Sequence, residues 1–270
     1  MRIRRRAFVA AGVAGLVSIT TRKVPAAVSG PRARFIIGIS GAIEGRKVRG
    51  WRKLTAALQK RGFPTTFVSV IDPLSSFTAN AVRAAQIVTA LKEVKEPVVV
   101  LGISNEGGFL PLIAAARSVR RLVYINATIP LPGKAFIEIC TSESVAVPGS
   151  ILDKLIQGAQ PVTEEFLRLR ADPNATPEQW QTLRERIRAS PYARHIPNFY
   201  EVCPLEKMPT VENMDISGAA DDEIRPEWEQ SAAHRVLGVE PVIIAGAGHA
   251  NIVTKNEYAV QVADACVNGL

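Results

Sequence analysis

The sequence predicts an α/β fold, a mostly parallel central sheet flanked by helices with a helical lid insertion, on three observations. Short apolar runs of strand character alternate with helical patterns from Arg34 onward. The alternation stops from about Gly133 to Met208, where the pattern is mostly helical, and strands then return before a last helix. Repeated β-α-β units of this kind imply parallel strands with helices on both faces. A chain of 270 residues with 47% hydrophobic residues buries one full-sized core. The expected organisation is therefore a core over 34–132 and 209–270, with a lid over 133–208 at the sheet edge.

Each element has its own signal. Phe35 to Ile39 is a buried strand, and Trp51, Leu54 and Leu58 mark the apolar face of a helix that stops at Gly62, where a C-terminal cap belongs. Phe67 to Val70 is a second strand, and Ala81, Ala84, Val88 and Leu91 mark a second helix. Val98 to Leu101 is the most hydrophobic strand. A helix from about Gly108 to Ser118 and a strand Leu122 to Ile125 come next. Within the lid, Thr176-Pro177-Glu178-Gln179 reads as a helix start, with Thr176 as cap, Pro177 in the first turn and Gln179 completing a capping box. Met214 to Ser217 and Val242 to Ala245 are the returning strands, and Val260, Val262 and Cys266 lie on the final helix.

The N-terminus carries Arg5-Arg6-Ala7-Phe8-Val9 and an apolar run to about Ile19, too short to span a bilayer comfortably. Small residues around Pro25-Ala26-Ala27 offer a cleavage point, so residues 1–27 read as a bacterial twin-arginine export signal. An uncleaved anchor or a basic tail is the alternative. The expected location is periplasmic or extracellular, with no stable membrane span once the signal is removed.

That segment also explains the net charge of +8, since six of the 33 basic residues lie in the first 23 positions and the remaining 27 face 25 acidic ones. The locally basic segment from Arg32 to Arg61 lacks aromatic interleaving or a reader motif, so it reads as a solvated helix face and no nucleic acid is expected. Cys140, Cys203 and Cys266 are too few and too scattered for a disulfide framework or metal site. One disulfide with one free thiol, or three buried thiols, are both open.

The residues with chemistry to offer stand just past the strand ends. Ser104 comes after the strand 98–101, the pair Asp221-Asp222 after the strand 214–217, and His249 after the last strand, inside Ala245-Gly246-Ala247-Gly248-His249. Serine, acid, histidine in that chain order, each after a strand, is the order of α/β-hydrolases. His195 and His234 carry no comparable context and read as lid and helix surface.

The sequence resembles the α/β-hydrolase superfamily, nearest the branch of salicylate-type methylesterases and hydroxynitrile lyases with their bacterial relatives. The likeness runs from Phe35 to the C-terminus. Ser40-Gly41-Ala42 stands at that branch's oxyanion loop, Trp51-Arg52-Lys53-Leu54 matches the helix after it, and Tyr124-Ile125-Asn126-Ala127 with Pro130 and Pro132-Gly133 resembles the entry to its lid. The resemblance implies an esterase-type serine hydrolase acting on a small, largely apolar ester. Lyase members carry a lysine after the histidine and a threonine in the oxyanion loop. This chain has Ala250 and Gly41 there, so lyase activity is not expected.

In a serine hydrolase the hydroxyl is a poor nucleophile until an imidazole takes its proton, and a carboxylate fixes the imidazole's tautomer. The expected roles are nucleophile for Ser104, base for His249 and orienting acid for Asp221. Spacing after Gly218 favours Asp221, whereas spacing back from Pro226 favours Asp222. Oxyanion donors would be the backbone N–H groups of Ala42 and Asn105. No cofactor and no metal are called for, because neither a phosphate-binding glycine spacing nor a metal-ligand cluster is present. The sequence is silent on oligomeric state.

The turn itself, Leu101-Gly102-Ile103-Ser104-Asn105-Glu106-Gly107-Gly108-Phe109, is one residue too long. A nucleophile turn needs small residues two before and two after the nucleophile. Ser104 has Gly102 before it but Glu106 after it, and Asn105 has Gly107 after it but Ile103 before it. Pro111 is tolerated only in the first helical turn, which implies a late helix start, an expanded turn and Ser104 at the strand end. Glu106 then reads either as a pocket-facing base or cation selector, or as a solvated residue at a helix N-terminus. If Asn105 fills the slot instead, the chain is a non-hydrolytic member that binds a small ligand or uses His249 as a base.

Overall fold

The computed structural model describes residues 33–40, 44–70, 80–142, 146–148, 177, 178, 181 and 201–270. The elements in chain order are β1 (Arg34–Ser40), α1 (Glu44–Lys60), β2 (Thr65–Val70), α2 (Asn80–Ala90), β3 (Val98–Ser104), a 3₁₀ turn (Asn105–Phe109) and α3 (Leu110–Ala116). They continue with β4 (Arg121–Ala127), α4 (Phe136–Ser142), β5 (Glu212–Gly218), α5 (Pro226–Ala232), a π turn (Ala233–Leu237), β6 (Val242–Ile244), α6 (Asn251–Thr254) and α7 (Asn256–Val267). The strands form one sheet in the order β2-β1-β3-β4-β5-β6, every neighbouring pair parallel.

The near-continuous apolar runs of β1, β3 and β4 follow from burial on both faces. Alternate residues along each strand enter opposite layers. Phe35, Ile37, Val99, Leu101, Val123 and Ile125 pack with Trp51, Leu54, Leu58, Val262 and Cys266 of α1 and α7. Ile36, Val98, Val100, Leu122 and Tyr124 pack with Ile87, Ile113 and Trp228 of α2, α3 and α5.

The two helix faces read from the sequence need adjustment. On α2 the buried stripe is Asn80, Arg83, Ala84 and Ile87, and Ala81 is exposed. On α7 it is Ala259, Val262, Ala263 and Cys266, and Val260 faces solvent. In both cases the 3.6-residue period selects the neighbouring position. The three cysteines are free thiols in buried positions, and burial pushes the Cys140 and Cys266 thiols up to about 12.

The chain leaves the sheet after β4 and returns to it at β5. The start and end of this excursion pair with each other: Gly133 N–H donates to the Cys203 carbonyl and Cys203 N–H to the Lys134 carbonyl, both at 3.0 Å, beside an antiparallel bridge between Ala135 and Val202. Pro177 and Glu178 are helical. Thr176, Gln179, His195, most of the expected lid and the expected export segment over residues 1–27 lie outside the described residues. No helix among the described residues is long and apolar enough to cross a membrane.

Candidate active site

Loops at the carboxyl ends of a parallel sheet are where ligands meet α/β proteins, and the serine, acid and histidine all lie there. β3 ends at Ser104, whose backbone sits at φ 56°, ψ −129°. Among the described non-glycine residues only Ser104 and Asn126 have positive φ, a conformation that costs about 1–3 kcal/mol and persists where the surroundings impose it. The imposition is visible: pairing with β4 shifts register between Ile103 and Ser104, and the Ser104 carbonyl accepts the Thr128 N–H at 3.0 Å. The 3₁₀ turn comes next and α3 starts only at Leu110, with Pro111 in its first turn. Of the two frames, the structure places Ser104 in the strained corner and Asn105 at the first position of the 3₁₀ turn.

The expanded turn takes its small residues from both frames. A Cβ on Gly102 would lie 3.0 Å from the Glu106 backbone carbon, and one on Gly107 would lie 2.0 Å from the Thr128 carbonyl oxygen. Gly102 therefore lets the turn cross its own strand, and Gly107 lets it pass the end of β4. Glu106 neither faces the cleft nor meets water, against both sequence readings. It is 1% exposed, and its Oε2 accepts the Ile103 N–H at 3.2 Å. Beneath it lies Arg83 of α2, buried as completely. Burial pushes the Arg83 guanidinium below its ordinary value, against the opposing charges of Glu106 and Glu201. A buried carboxylate needs such a partner.

On the other side of the site, His249 Nδ1 lies 2.9 Å from Asp221 Oδ2 and 3.1 Å from Oδ1. Asp221 Oδ1 also accepts the N–H groups of Glu223 at 2.8 Å and Ile224 at 3.0 Å, so the carboxylate is clamped by its own loop. Asp222 is exposed. Of the two acids, the structure brings Asp221 to the histidine. Burial alone pulls the imidazole down, but the hydrogen bond and charge of Asp221, with Glu223 and Glu229 adding, outweigh it and hold His249 above its ordinary value.

The remaining link is not made. Ser104 Oγ has no hydrogen-bond partner among the described residues, and His249 Nε2 faces Glu223 Oε2 at 3.3 Å. Catalytic hydrogen bonds often close only around substrate. Ala42 lies outside the described residues. Asn105 lines a cleft of about 410 Å³, open solvent included, with Leu112, Thr128, Pro130, Lys134 and Phe136 on its walls. Neither Ser104 nor His249 is on that lining. Among the described residues no group of three or more His, Cys, Asp or Glu side chains is placed to hold a metal.

Two residues to which the sequence reading gave no site role hold the loops together. Asn126, fully buried at the end of β4, donates from Nδ2 to the carbonyls of Gly248 and His249, both at 3.1 Å. Its Oδ1 accepts the Gly218 N–H at 2.6 Å, so one side chain ties the acid and histidine loops to the strand beside Ser104. A polar residue closing an otherwise apolar buried strand was the available signal, because a buried amide requires partners. Glu229 of α5 accepts the Ala127 N–H at 2.6 Å and the Ser217 hydroxyl at 2.7 Å. Nothing distinguishes it in sequence from an ordinary helix-surface glutamate.

The sequence matches the family described as "Alpha/beta hydrolase family" over residues 44–265. The chain belongs to that family. Among solved structures, this α/β hydrolase is similar to polyneuridine aldehyde esterase, with 16% identity and a TM-score of 0.56 over 87% of this chain and 99% of that one. A pyrethroid hydrolase from Sphingobium faniae JZ-2 matches at 16% identity and TM-score 0.54, covering 87% and 96%. An extracellular α/β-hydrolase from a Paenibacillus species, described as sharing homology with tobacco salicylic acid binding protein 2, matches at 16% and 0.54, covering 87% and 98%. At such identities these likenesses are of fold. No curated protein matches the chain.

Proposed function

We propose that this α/β hydrolase cleaves a small, largely apolar carboxylic ester through Ser104, His249 and Asp221. The observation that carries the reading is the positive-φ corner at Ser104, strain stored where a strand-to-helix turn exposes a nucleophile. Family membership supports hydrolase activity, and the esterase and hydrolase names of the structural neighbours agree with it.

In the proposed reaction Ser104 Oγ bonds to the ester carbon while His249 Nε2 takes its proton, and Asp221 on Nδ1 fixes the tautomer and stabilises the imidazolium. The carbonyl oxygen becomes an oxyanion, met by the Asn105 N–H and, by the family pattern, that of Ala42. The bond to the leaving oxygen then breaks and His249 returns the proton to it, releasing the alcohol. Water, deprotonated by His249, hydrolyses the acyl-serine and restores Ser104. Export through the Arg5-Arg6 segment is proposed with it, and a processed, secreted product from an Arg5→Lys/Arg6→Lys chain would reject that part.

One observation favours a second reading, a ligand-binding or base-catalytic member without an acyl-enzyme: His249 Nε2 faces Glu223 and not Ser104. A fluorophosphonate probe with peptide mapping separates the two. The hydrolase reading expects one adduct on Ser104, absent in Ser104→Ala and formed far more slowly in His249→Ala. A folded protein that takes no adduct rejects it.

A further inference from the structure

The contact between Glu223 and His249 has chemical content of its own. Nε2 is the atom that passes the proton to the departing alcohol, so a group within 3.3 Å of it borders the leaving-group side of the site. Glu223 is anchored there through its backbone, since its N–H donates to the same Asp221 carboxylate that orients the ring. Its side chain is free to turn: it is 53% exposed, and rotation lifts the carboxylate off Nε2 without moving the loop. An ester entering the site displaces that carboxylate from Nε2 but leaves it tethered a few ångströms away, where it faces the alcohol portion. Lys134, the cation on the cleft, lies with Asn105 and Thr128 on a lining that does not include Glu223.

From this placement we infer that Glu223 is a specificity-determining residue that favours esters whose leaving alcohol carries a cationic group, such as a quaternary amino alcohol, and disfavours anionic ones. The inference rests on the hydrolase reading. Of its two acidic neighbours, Asp221 is committed to the histidine and Asp222 is exposed. A half-exposed carboxylate is screened, which limits the preference to about 1.5- to fivefold.

The test compares acetylcholine with 3,3-dimethylbutyl acetate, which share acyl group and shape and differ by a nitrogen cation against a neutral carbon. Wild-type protein is expected to show kcat/KM about 1.5- to fivefold higher for the cationic ester. The ratio is expected to fall to near one in Glu223→Gln and to invert in Glu223→Lys. A residue that merely steadied His249 would change both esters equally. Equal kcat/KM in the wild type, or a ratio unmoved by either substitution, overturns the role of Glu223 alone. Turnover of neither ester with Ser104 labelled by the fluorophosphonate also rejects the selectivity while the hydrolase reading stands. Turnover of neither with Ser104 unlabelled removes both.

Discussion

On the acid–histidine side, side chains reach out to fix loops: Asp221 holds His249 and two N–H groups of its own turn, and Asn126 holds the carbonyls of Gly248 and His249. On the serine side the loop is fixed by what it fits between. Gly107 allows a contact that no Cβ tolerates and Gly102 one that a Cβ makes only if its neighbours give way, and a buried Glu106 beside Arg83 fills the turn and takes the Ile103 N–H. Hydrogen-bonded geometry tunes reactivity, whereas steric and ionic packing sets where the backbone goes. The two halves should therefore fail differently, one in rate and the other in stability.

The largest effect expected is in rate. Asp221→Asn keeps the side-chain shape but hands His249 the wrong tautomer, and kcat should fall by about 10⁴-fold with little change in Tm. Asp222→Asn, at an exposed position, should stay within about twofold. Ester turnover beside thermal melts checks both, and equal losses in the two variants would break the assignment of the acid.

Those two carboxylates also mark how far the sequence could be read. The alternation of strands and helices, and the chain order of serine, acid and histidine just past strand ends, were legible, because apolar runs and strand-end residues are local patterns. The choice between Asp221 and Asp222 was not: two spacing rules disagreed, and only the loop's three-dimensional course decides which carboxylate turns inward. The turn at Ser104 was ambiguous for a related reason. Its small residues answer two different neighbours, the turn's own backbone at Gly102 and the end of β4 at Gly107, and a spacing rule assumes one. Glu106 was read as pocket-facing or solvated because its partner, Arg83, is 23 positions away on another helix and carries no motif.

Next in size is the stability of the serine side. Glu106→Gln leaves the Arg83 cation buried without its full counter-charge, and breaking one member of a buried pair costs about 3–5 kcal/mol. In a chain of this size that lowers Tm by roughly 10 °C. Glu106→Gln combined with Arg83→Met should recover at least half of the loss, since the uncompensated charge is then gone. A double variant as unstable as the sum of the singles would show that the two residues do not act as a pair.

The smallest effect sharpens the comparison through pH. Between β5 and α5 lie two fully buried carboxyls, Asp215 and Glu229. Burial pushes Asp215 up to about 8, and burial with the charge of Asp215 raises Glu229 as well. Glu229 accepts two hydrogen bonds that hold Ala127 and Ser217, and the two carboxyls titrate as a pair. A carboxyl whose folded value lies above its unfolded value binds its proton more tightly in the native state. Its contribution is complete below the unfolded value near 4 and is lost as pH rises through the folded one, near 8. The urea midpoint should therefore fall between pH 6 and pH 9, and Asp215→Asn should flatten that fall by removing one titration and the like charge that raises the other. The pair lies under the strand ends that carry Asn126 and Gly218, so alkaline loss of the acid–histidine geometry should precede global unfolding, with turnover declining before the far-ultraviolet signal. Simultaneous loss of both would place the weak point elsewhere and remove the distinction between the halves.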